Sequence, residues 1–174
     1  MDIYVDASTL IALGTVGELE LLLNFDGNVV VPTAVLEEVT TEPARANVDS
    51  LLEREDARRS GDRDSFSKYR EKAQQILGEE SPSGDVVLIE TVLWKRDIDT
   101  EIAIVSDDRR VRTVAEGLGA TVTGTVGVVV RAVHEGLDPS EAKDLIRRID
   151  SRGLHMTGEL RETAYRLIDE TAKE

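Results

Sequence analysis

The amino-terminal stretch Met1-Asp-Ile-Tyr-Val-Asp6-Ala-Ser8 decides the fold, because a short apolar run ends there on an acid. A short apolar run bounded by polar residues is typical of a buried strand. We therefore predict a first strand over residues 2–6. The apolar residues from Ser8 to Phe25 recur at helical spacing and are interrupted near Gly14 and Gly17, which predicts two short helices.

Three further apolar runs follow the same plan along the chain. Strands are predicted at Asn28–Val31, at Ile102–Ser106 and at Ala120–Thr123, each followed by residues with helical periodicity. Pro32 fits the first position of the helix after the second strand. Strands that alternate with helices predict a parallel sheet with right-handed crossovers. The expected fold class is α/β, a three-layer α/β/α arrangement around a central parallel sheet of four to five strands.

Two segments differ from this alternation of strands and helices. Residues 41–81 carry many basic and acidic side chains and little apolar content, so we predict a charged, exposed helical arm. Residues 138–174 are predicted to be a helical extension that starts at Asp138-Pro139 and is broken at Gly153 and Gly158. The length of 174 residues suits a single domain that includes both segments.

Composition excludes several kinds of site. The chain has no cysteine and only two histidines, so thiolate sites are excluded and a metal ion would be held by oxygen. The net charge is −14, with 35 acids against 21 bases, and arginine far outnumbers lysine. This profile resembles proteins of salt-loving archaea, so we interpret the charge as a surface adaptation. No apolar run has the ~20 residues that span a bilayer and no signal peptide is recognisable, so a cytoplasmic protein without a membrane partner is expected.

The positions of certain acids relative to the predicted elements indicate a metal site. Asp6 closes the first strand, Asp107 and Asp108 follow the third, and Glu38 and Asp85 fall in helices that flank the sheet. Ligands of open α/β sheets bind outside the carboxyl ends of the strands. Clustered carboxylates raise each other's pKa, so a cation such as Mg²⁺ or Mn²⁺ would stabilise them.

Each acid has an assigned role in this hypothesis and also a purely structural alternative. Asp6 and Asp85 would be metal ligands, Asp107 or Asp108 would complete the site, and Glu38 would hold a second ion or orient the attacking water. In the alternative, Asp6 and Asp107 cap helices, Asp85 is a favourable first-turn acid and Glu38 lies on the surface.

Other polar residues near these acids are candidates for supporting roles. Ser8 and Ser106 would hydrogen-bond the ligand carboxylates, with helix capping as the alternative for Ser8. The arginines that follow the last acids would contact phosphates, or would simply form a solvated helix face; they are Arg109, Arg110 and Arg112.

The order of these motifs resembles the PIN domain family, whose members are metal-dependent ribonucleases with a four-acid site. The motifs are Tyr4-Val-Asp6-Ala-Ser8-Thr-Leu-Ile, Val31-Pro-Thr-Ala-Val-Leu-Glu-Glu38-Val, Gly84-Asp85 and Val105-Ser-Asp107-Asp108-Arg-Arg-Val. The stretch Thr121-Val-Thr-Gly124-Thr-Val-Gly-Val is similar to a prokaryotic subgroup of PIN-like nucleic-acid-binding proteins. The wider family's spacing favours Asp108 as the fourth acid, and the subgroup's pattern points at least as much to Asp107.

The resemblance implies a Mg²⁺- or Mn²⁺-dependent endoribonuclease with an RNA substrate. It implies either the toxin of a toxin–antitoxin pair, inhibited by a small antitoxin protein, or an RNA-processing nuclease, and it suggests a homodimer. Two alternatives belong to other classes: a PIN-like nucleic-acid-binding or scaffold domain without turnover, and a different metal-dependent phosphohydrolase on a doubly wound sheet.

Overall fold

The fold, seen in a computed structural model that describes residues 1–61 and 67–173, is a three-layer α/β/α arrangement. The described residues form a five-stranded sheet in which all neighbouring strands are parallel and the order is β3-β2-β1-β4-β5. The strands are β1 (Asp2–Val5), β2 (Asn28–Pro32), β3 (Ala57–Ser60), β4 (Ile102–Val105) and β5 (Thr121–Thr123). The predicted fold class is therefore confirmed.

Helices cover both faces of the sheet. They are α1 (Ala7–Val16), α2 (Thr33–Glu38), α3 (Ala44–Leu51), α4 (Ser67–Leu77), α5 (Gly84–Asp97), α6 (Arg109–Gly117), α7 (Thr125–His134), α8 (Pro139–Arg152) and α9 (Gly158–Thr171), with a 3₁₀ helix at Leu19–Asn24. Helices α1, α3, α7, α8 and α9 pack with one another on one face, and α2, α4 and α6 pack around α5 on the other. Among the described residues no helix has the length and apolar character needed to cross a membrane.

The three central strands are buried on both faces apart from the polar first residues of β1 and β2, Asp2 and Asn28, which is why the rest of their sequences is apolar. Val29, Val30 and Val31 of β2 are fully buried, as are Ile104 of β4 and Val5 of β1. The strands predicted from these runs are confirmed to within one residue at each end. In β2 the extra residue is Pro32, which is the last residue of the strand. The prediction that Pro32 takes the first position of the following helix is wrong, because α2 begins at Thr33 and Pro32 is its N-cap.

The segment 41–81 differs from its prediction. It holds helices α3 and α4, but Ala57–Ser60 forms an edge strand that pairs with β2, so the prediction of a purely helical arm is wrong there. Val48 and Ala73 are fully buried, so the helices of this segment pack against the core. Residues 62–66, which belong to the predicted arm, lie outside the described residues. The division of the chain into one domain with two appendages stays a prediction.

The two carboxyl-terminal helices are present as predicted. The Asp138 carboxylate accepts hydrogen bonds from the backbone N–H of Ser140 at 2.8 Å and of Glu141 at 3.3 Å, which caps α8, and Pro139 occupies its first turn. Helix α8 ends before Gly153, and α9 begins at Gly158.

Candidate functional site

The strand order creates a crevice at the carboxyl ends of β1 and β4. From β1 the chain moves to β2 and β3 on one side, whereas β4 and β5 lie on the other side of β1. Neighbouring β1 and β4 therefore lead into connections that leave in opposite directions, which is where open α/β sheets bind ligands. The backbone N–H of Asp6 donates to the carbonyl of Val105 at 3.0 Å, so the two strand ends are tied together at this point.

Four acids from four different elements line one cavity in this crevice. The cavity has a volume of about 190 Å³, and its lining includes Asp6 after β1, Glu38 at the end of α2, Asp85 in the first turn of α5 and Asp108 before α6. Ala7, Ser8 and Gly84 complete the wall. The structure therefore brings together four of the five predicted site acids in one place.

Asp6 is the most deeply buried of these acids. Its carboxylate caps α1, accepting from the backbone N–H of Thr9 at 2.9 Å and from the Ser8 hydroxyl at 2.7 Å. The Ser106 hydroxyl donates to the second carboxylate oxygen. Burial raises the pKa of Asp6, the hydrogen bonds partly oppose that shift, and the negative charge of Asp107 adds to it. Both Ser8 and Ser106 donate to the Asp6 carboxylate, and Ser8 is not the cap of α1, because Asp6 holds that position.

Asp85 responds most clearly to its acidic surroundings. Its pKa is raised to about 6, first by partial burial and then by the charges of Asp108, Asp6 and Glu79, while Arg110 opposes the shift. Burial and the neighbouring acids therefore disfavour the charged form of Asp85. A cation bound beside it would stabilise that form.

Glu38 joins helix α2 to the start of α5. One carboxylate oxygen of Glu38 accepts from the backbone N–H of Gly84 at 2.6 Å, at the amino-terminal end of α5. A Cβ atom at Gly84 would lie 2.9 Å from that oxygen and 3.1 Å from Cγ2 of Val35. The glycine therefore allows the close approach that places Glu38 beside Asp85.

The two neighbouring acids after β4 have different surroundings. Asp107 accepts from Thr125 at the start of α7, from its N–H at 2.8 Å and its hydroxyl at 2.5 Å, and from the Thr9 hydroxyl at 3.4 Å. Asp108 lines the cavity and caps α6 by accepting from the N–H of Val111 at 2.9 Å. Asp107 does not line the cavity.

The three candidate arginines have different environments. Arg110 donates to Glu79 at 2.5 Å, to Asp85 at 3.4 Å and to the carbonyl of Leu77 at 3.0 Å. Arg109 is exposed, and within residues 1–61 and 67–173 it forms no ion pair. Arg112 is half-buried, and its guanidinium lies beside Gly124, where an added Cβ would come within 2.9 Å of it.

Three polar residues near the cavity are not predicted from the sequence to have a role in the site. Thr9 and Thr125 are fully buried and hold Asp6 and Asp107, and Glu79 pairs with Arg110. Thr125 follows Gly124 at the predicted start of a helix. Its position in the sequence does not indicate that it hydrogen-bonds Asp107, which lies 18 positions earlier. Glu79 lies in the charged segment 41–81, where one acid cannot be told from another by pattern.

The donor atoms of the cavity fit a hard divalent cation. They are carboxylate oxygens, and the pKa of Asp6 and of Asp85 is raised first by burial and then by neighbouring negative charges, effects that a bound cation would offset. In the described part of the chain no three His, Asp or Glu side chains are close enough to hold one ion by themselves. Mg²⁺ usually keeps several waters and takes only one or two protein carboxylates directly, so this spacing is compatible with it.

A comparison with known protein families bears on the fold. A family model with the description PIN domain matches residues 2–170. No curated protein matches the chain. The matched range includes all four acids that line the cavity.

Proposed function

The chain belongs to the PIN domain family, and from that premise we propose that it is a Mg²⁺- or Mn²⁺-dependent endoribonuclease. The observation that supports the proposal best is the single cavity at the crevice of the sheet, lined by Asp6, Glu38, Asp85 and Asp108. Acids from four separate elements meet there, although each is far from the others in sequence. The reaction is hydrolysis of an RNA phosphodiester, in which water attacks phosphorus and the leaving oxygen takes up a proton.

The residues of the cavity divide into two proposed roles. Asp6, Asp85 and Asp108 would hold the cation, directly or through water, and Glu38 would orient the attacking water or hold a second ion. A bound divalent cation supplies an electrophile for the phosphate and lowers the pKa of a coordinated water. Ser8 and Ser106 fix the rotamer of Asp6 through the hydrogen bonds described above.

Asp107 has a different proposed role from Asp108. Its carboxylate is used to hold the start of α7 through Thr125, and it acts on the cavity through its charge on Asp6. We therefore place Asp108 among the proposed ligands and treat Asp107 as the residue that positions the turn after β4.

The biological setting is also part of the proposal, and membership of the family supports it. An endoribonuclease of this kind acts as the toxin of a toxin–antitoxin pair or as an RNA-processing enzyme, and a homodimer is the expected assembly. A small neighbouring gene for a DNA-binding antitoxin would favour the toxin. The net charge of −14 opposes RNA binding away from the cavity, so most of the affinity would come from contacts near the cation.

The second candidate function is a PIN-like nucleic-acid-binding or scaffold domain without turnover. The ion pair between Arg110 and Asp85 favours it, because this contact offsets part of the charge of one of the acids without a metal ion. Metal-dependent cleavage distinguishes the two candidates.

The test uses the purified protein with a mixture of unstructured RNA oligonucleotides and Mn²⁺. We expect cleavage by the natural protein and a loss of at least about 100-fold in Asp6→Ala and in Asp85→Ala, as for the removal of groups that stabilise developing charge. Asp138→Ala is the control, since Asp138 also caps a helix but lies outside the cavity. If Mn²⁺-dependent cleavage is the same in Asp6→Ala, Asp85→Ala and the natural protein, the nuclease proposal fails.

A further inference from the structure

Arg110 does not line the cavity but contacts one of its acids, Asp85, and its guanidinium is held by three different parts of the chain. It extends from the first turn of α6, and its guanidinium donates to the last carbonyl of α4 at Leu77, to Glu79 in the following loop and to Asp85 in α5. The donor–acceptor distances are 3.0 Å, 2.5 Å and 3.4 Å respectively. Because Leu77 and Glu79 hold the guanidinium, its position does not depend on the contact with Asp85.

This arrangement puts a fixed positive charge beside a cluster of negative ones. Asp85 has Asp6, Asp108 and Glu79 near enough to act on its charge, and Arg110 is the cation that opposes them. The contact between Arg110 and Asp85 is the longer one, so Asp85 is only partly compensated and stays open to the cavity. Neither arginine lines the cavity, but Arg110 contacts its lining residue Asp85, whereas Arg109, one position earlier, forms no ion pair within residues 1–61 and 67–173.

We propose that Arg110 is a built-in counter-cation that weakens divalent-cation binding in the cavity, with Glu79 as the residue that holds it in place. This inference rests on the proposed metal site and concerns its regulation. A metal ion that approaches Asp85 meets the guanidinium at the same carboxylate, so the two positive charges repel each other. The protein therefore binds the ion less tightly than four carboxylates would alone. An anionic RNA, which relieves that repulsion, should tighten the ion's binding in turn.

The direction in which cation affinity changes when Arg110 is replaced distinguishes a counter-cation from a residue with a purely structural role. A residue that only holds the cavity together would weaken cation binding when it is replaced, because the acids would spread. A counter-cation gives the opposite result, and its removal strengthens binding. Since Arg110 is about half exposed, solvent reduces the effect, and we expect a change of about 3- to 10-fold in the Kd for Mn²⁺.

The test measures Mn²⁺ binding by electron paramagnetic resonance of free Mn²⁺, with no RNA and at constant ionic strength. We expect Arg110→Gln to lower the Kd for Mn²⁺ by about 3- to 10-fold, and Arg110→Lys, which keeps the charge, to stay close to the natural protein. Arg109→Gln is the matched control, since it removes the same charge one position away. We expect it to change the Kd by less than about twofold.

The outcomes distinguish this inference from the proposed function. If the natural protein binds no Mn²⁺, the metal site itself is refuted. If the natural protein binds Mn²⁺ but Arg110→Gln binds it equally or more weakly, or matches Arg109→Gln, the counter-cation role is overturned while the metal site stands. Should Arg110→Gln fail to fold, Arg110→Lys decides, because a tenfold change in a variant that keeps the charge would also overturn the role.

Discussion

Asp85 lies in the first turn of α5 with three other acids acting on its charge. Its pKa in the folded protein is about 6, against 3.8 for a free side chain. A carboxyl whose pKa is raised by folding stabilises the protein below its unfolded pKa, and that stability is lost as the pH rises through the folded pKa. The metal-free protein should therefore lose this contribution between about pH 4 and pH 7.

The variant Asp85→Asn tests this titration because it removes the charge and keeps the shape of the side chain. We expect it to raise the free energy of unfolding by about 1–2 kcal/mol at pH 7.5 without metal, a value reduced for partial exposure to solvent. The gain should vanish near about pH 4, where Asp85 is protonated in the natural protein as well. Urea unfolding in a chelator at three pH values measures it.

Asp138→Asn is the control with the opposite sign. The hydrogen bonds from Ser140 and Glu141 lower the pKa of Asp138, so its charge stabilises the folded protein at neutral pH. This variant should lose stability where Asp85→Asn gains it. A loss of stability in both variants at pH 7.5 would contradict the destabilising charge assigned to Asp85.

Sequence alone places the acids near each other but does not settle what each one contacts. Asp6 and Asp85 are recognisable because each follows or opens an apolar element. Asp107 and Asp108 are neighbours after the same strand, and their difference depends on Thr125, which belongs to another helix. The pairing of Arg110 with Glu79 likewise joins two distant elements. Such contacts depend on packing, which a pattern within one element does not contain.

At the scale of elements, the start of α5 depends on the absence of a side chain at Gly84. This position meets Glu38 and Val35 at less than ordinary contact distance for a Cβ. Gly158 is also the first residue of a 14-residue helix, α9, and an added Cβ there would meet nothing within 4 Å. The two glycines therefore form a matched pair.

We expect Gly84→Ala to lower the free energy of unfolding by about 1–2 kcal/mol, because the Glu38 carboxylate must leave its hydrogen bond with the N–H of residue 84 and Val35 must shift to admit the methyl group. Gly158→Ala should be neutral or stabilise by up to about 1 kcal/mol, since alanine reduces the entropy of the unfolded chain. Thermal and urea unfolding of both variants measure the difference. Equal effects of the two substitutions would show that the close approach of Glu38 to α5 is unimportant for stability.

Elements with a strong apolar signal are predictable and the edge strand β3 is not. The strands β1, β2 and β4 are buried on both faces and so are apolar, except for the polar first residue of β1 and of β2. Strand β3 has the sequence Ala57-Arg-Arg-Ser60, with only Ala57 buried, because it lies at the edge of the sheet. Its position depends on pairing with β2. The segment has neither alternating apolar residues nor β-branched residues, so the sequence pattern does not predict a strand there.

At the scale of the whole molecule, the charge of −14 determines how metal binding must be measured. Any salt screens repulsion among 35 acids and so stabilises the folded chain to some extent. A specific site adds a second contribution, because an ion that binds only the folded protein stabilises it by mass action. The predicted origin in a salt-loving archaeon concerns only the screening of acid–acid repulsion by salt, and it stays a prediction.

We expect Mg²⁺ or Mn²⁺ to raise the melting temperature when NaCl keeps the ionic strength constant. A concentration of about 100 times the Kd adds about 2.7 kcal/mol, which corresponds to about 5–10 °C for a chain of this size. Asp85→Asn should reduce the shift, since it removes a proposed ligand, and Asp138→Asn should keep it. Differential scanning calorimetry with and without the metal provides the measurement. Equal melting temperatures with and without the divalent ion would rule out the metal site. The carboxylates at the crevice of β1 and β4 exist as a cluster only in the folded protein, so a cation that binds them must shift the unfolding equilibrium toward the folded state.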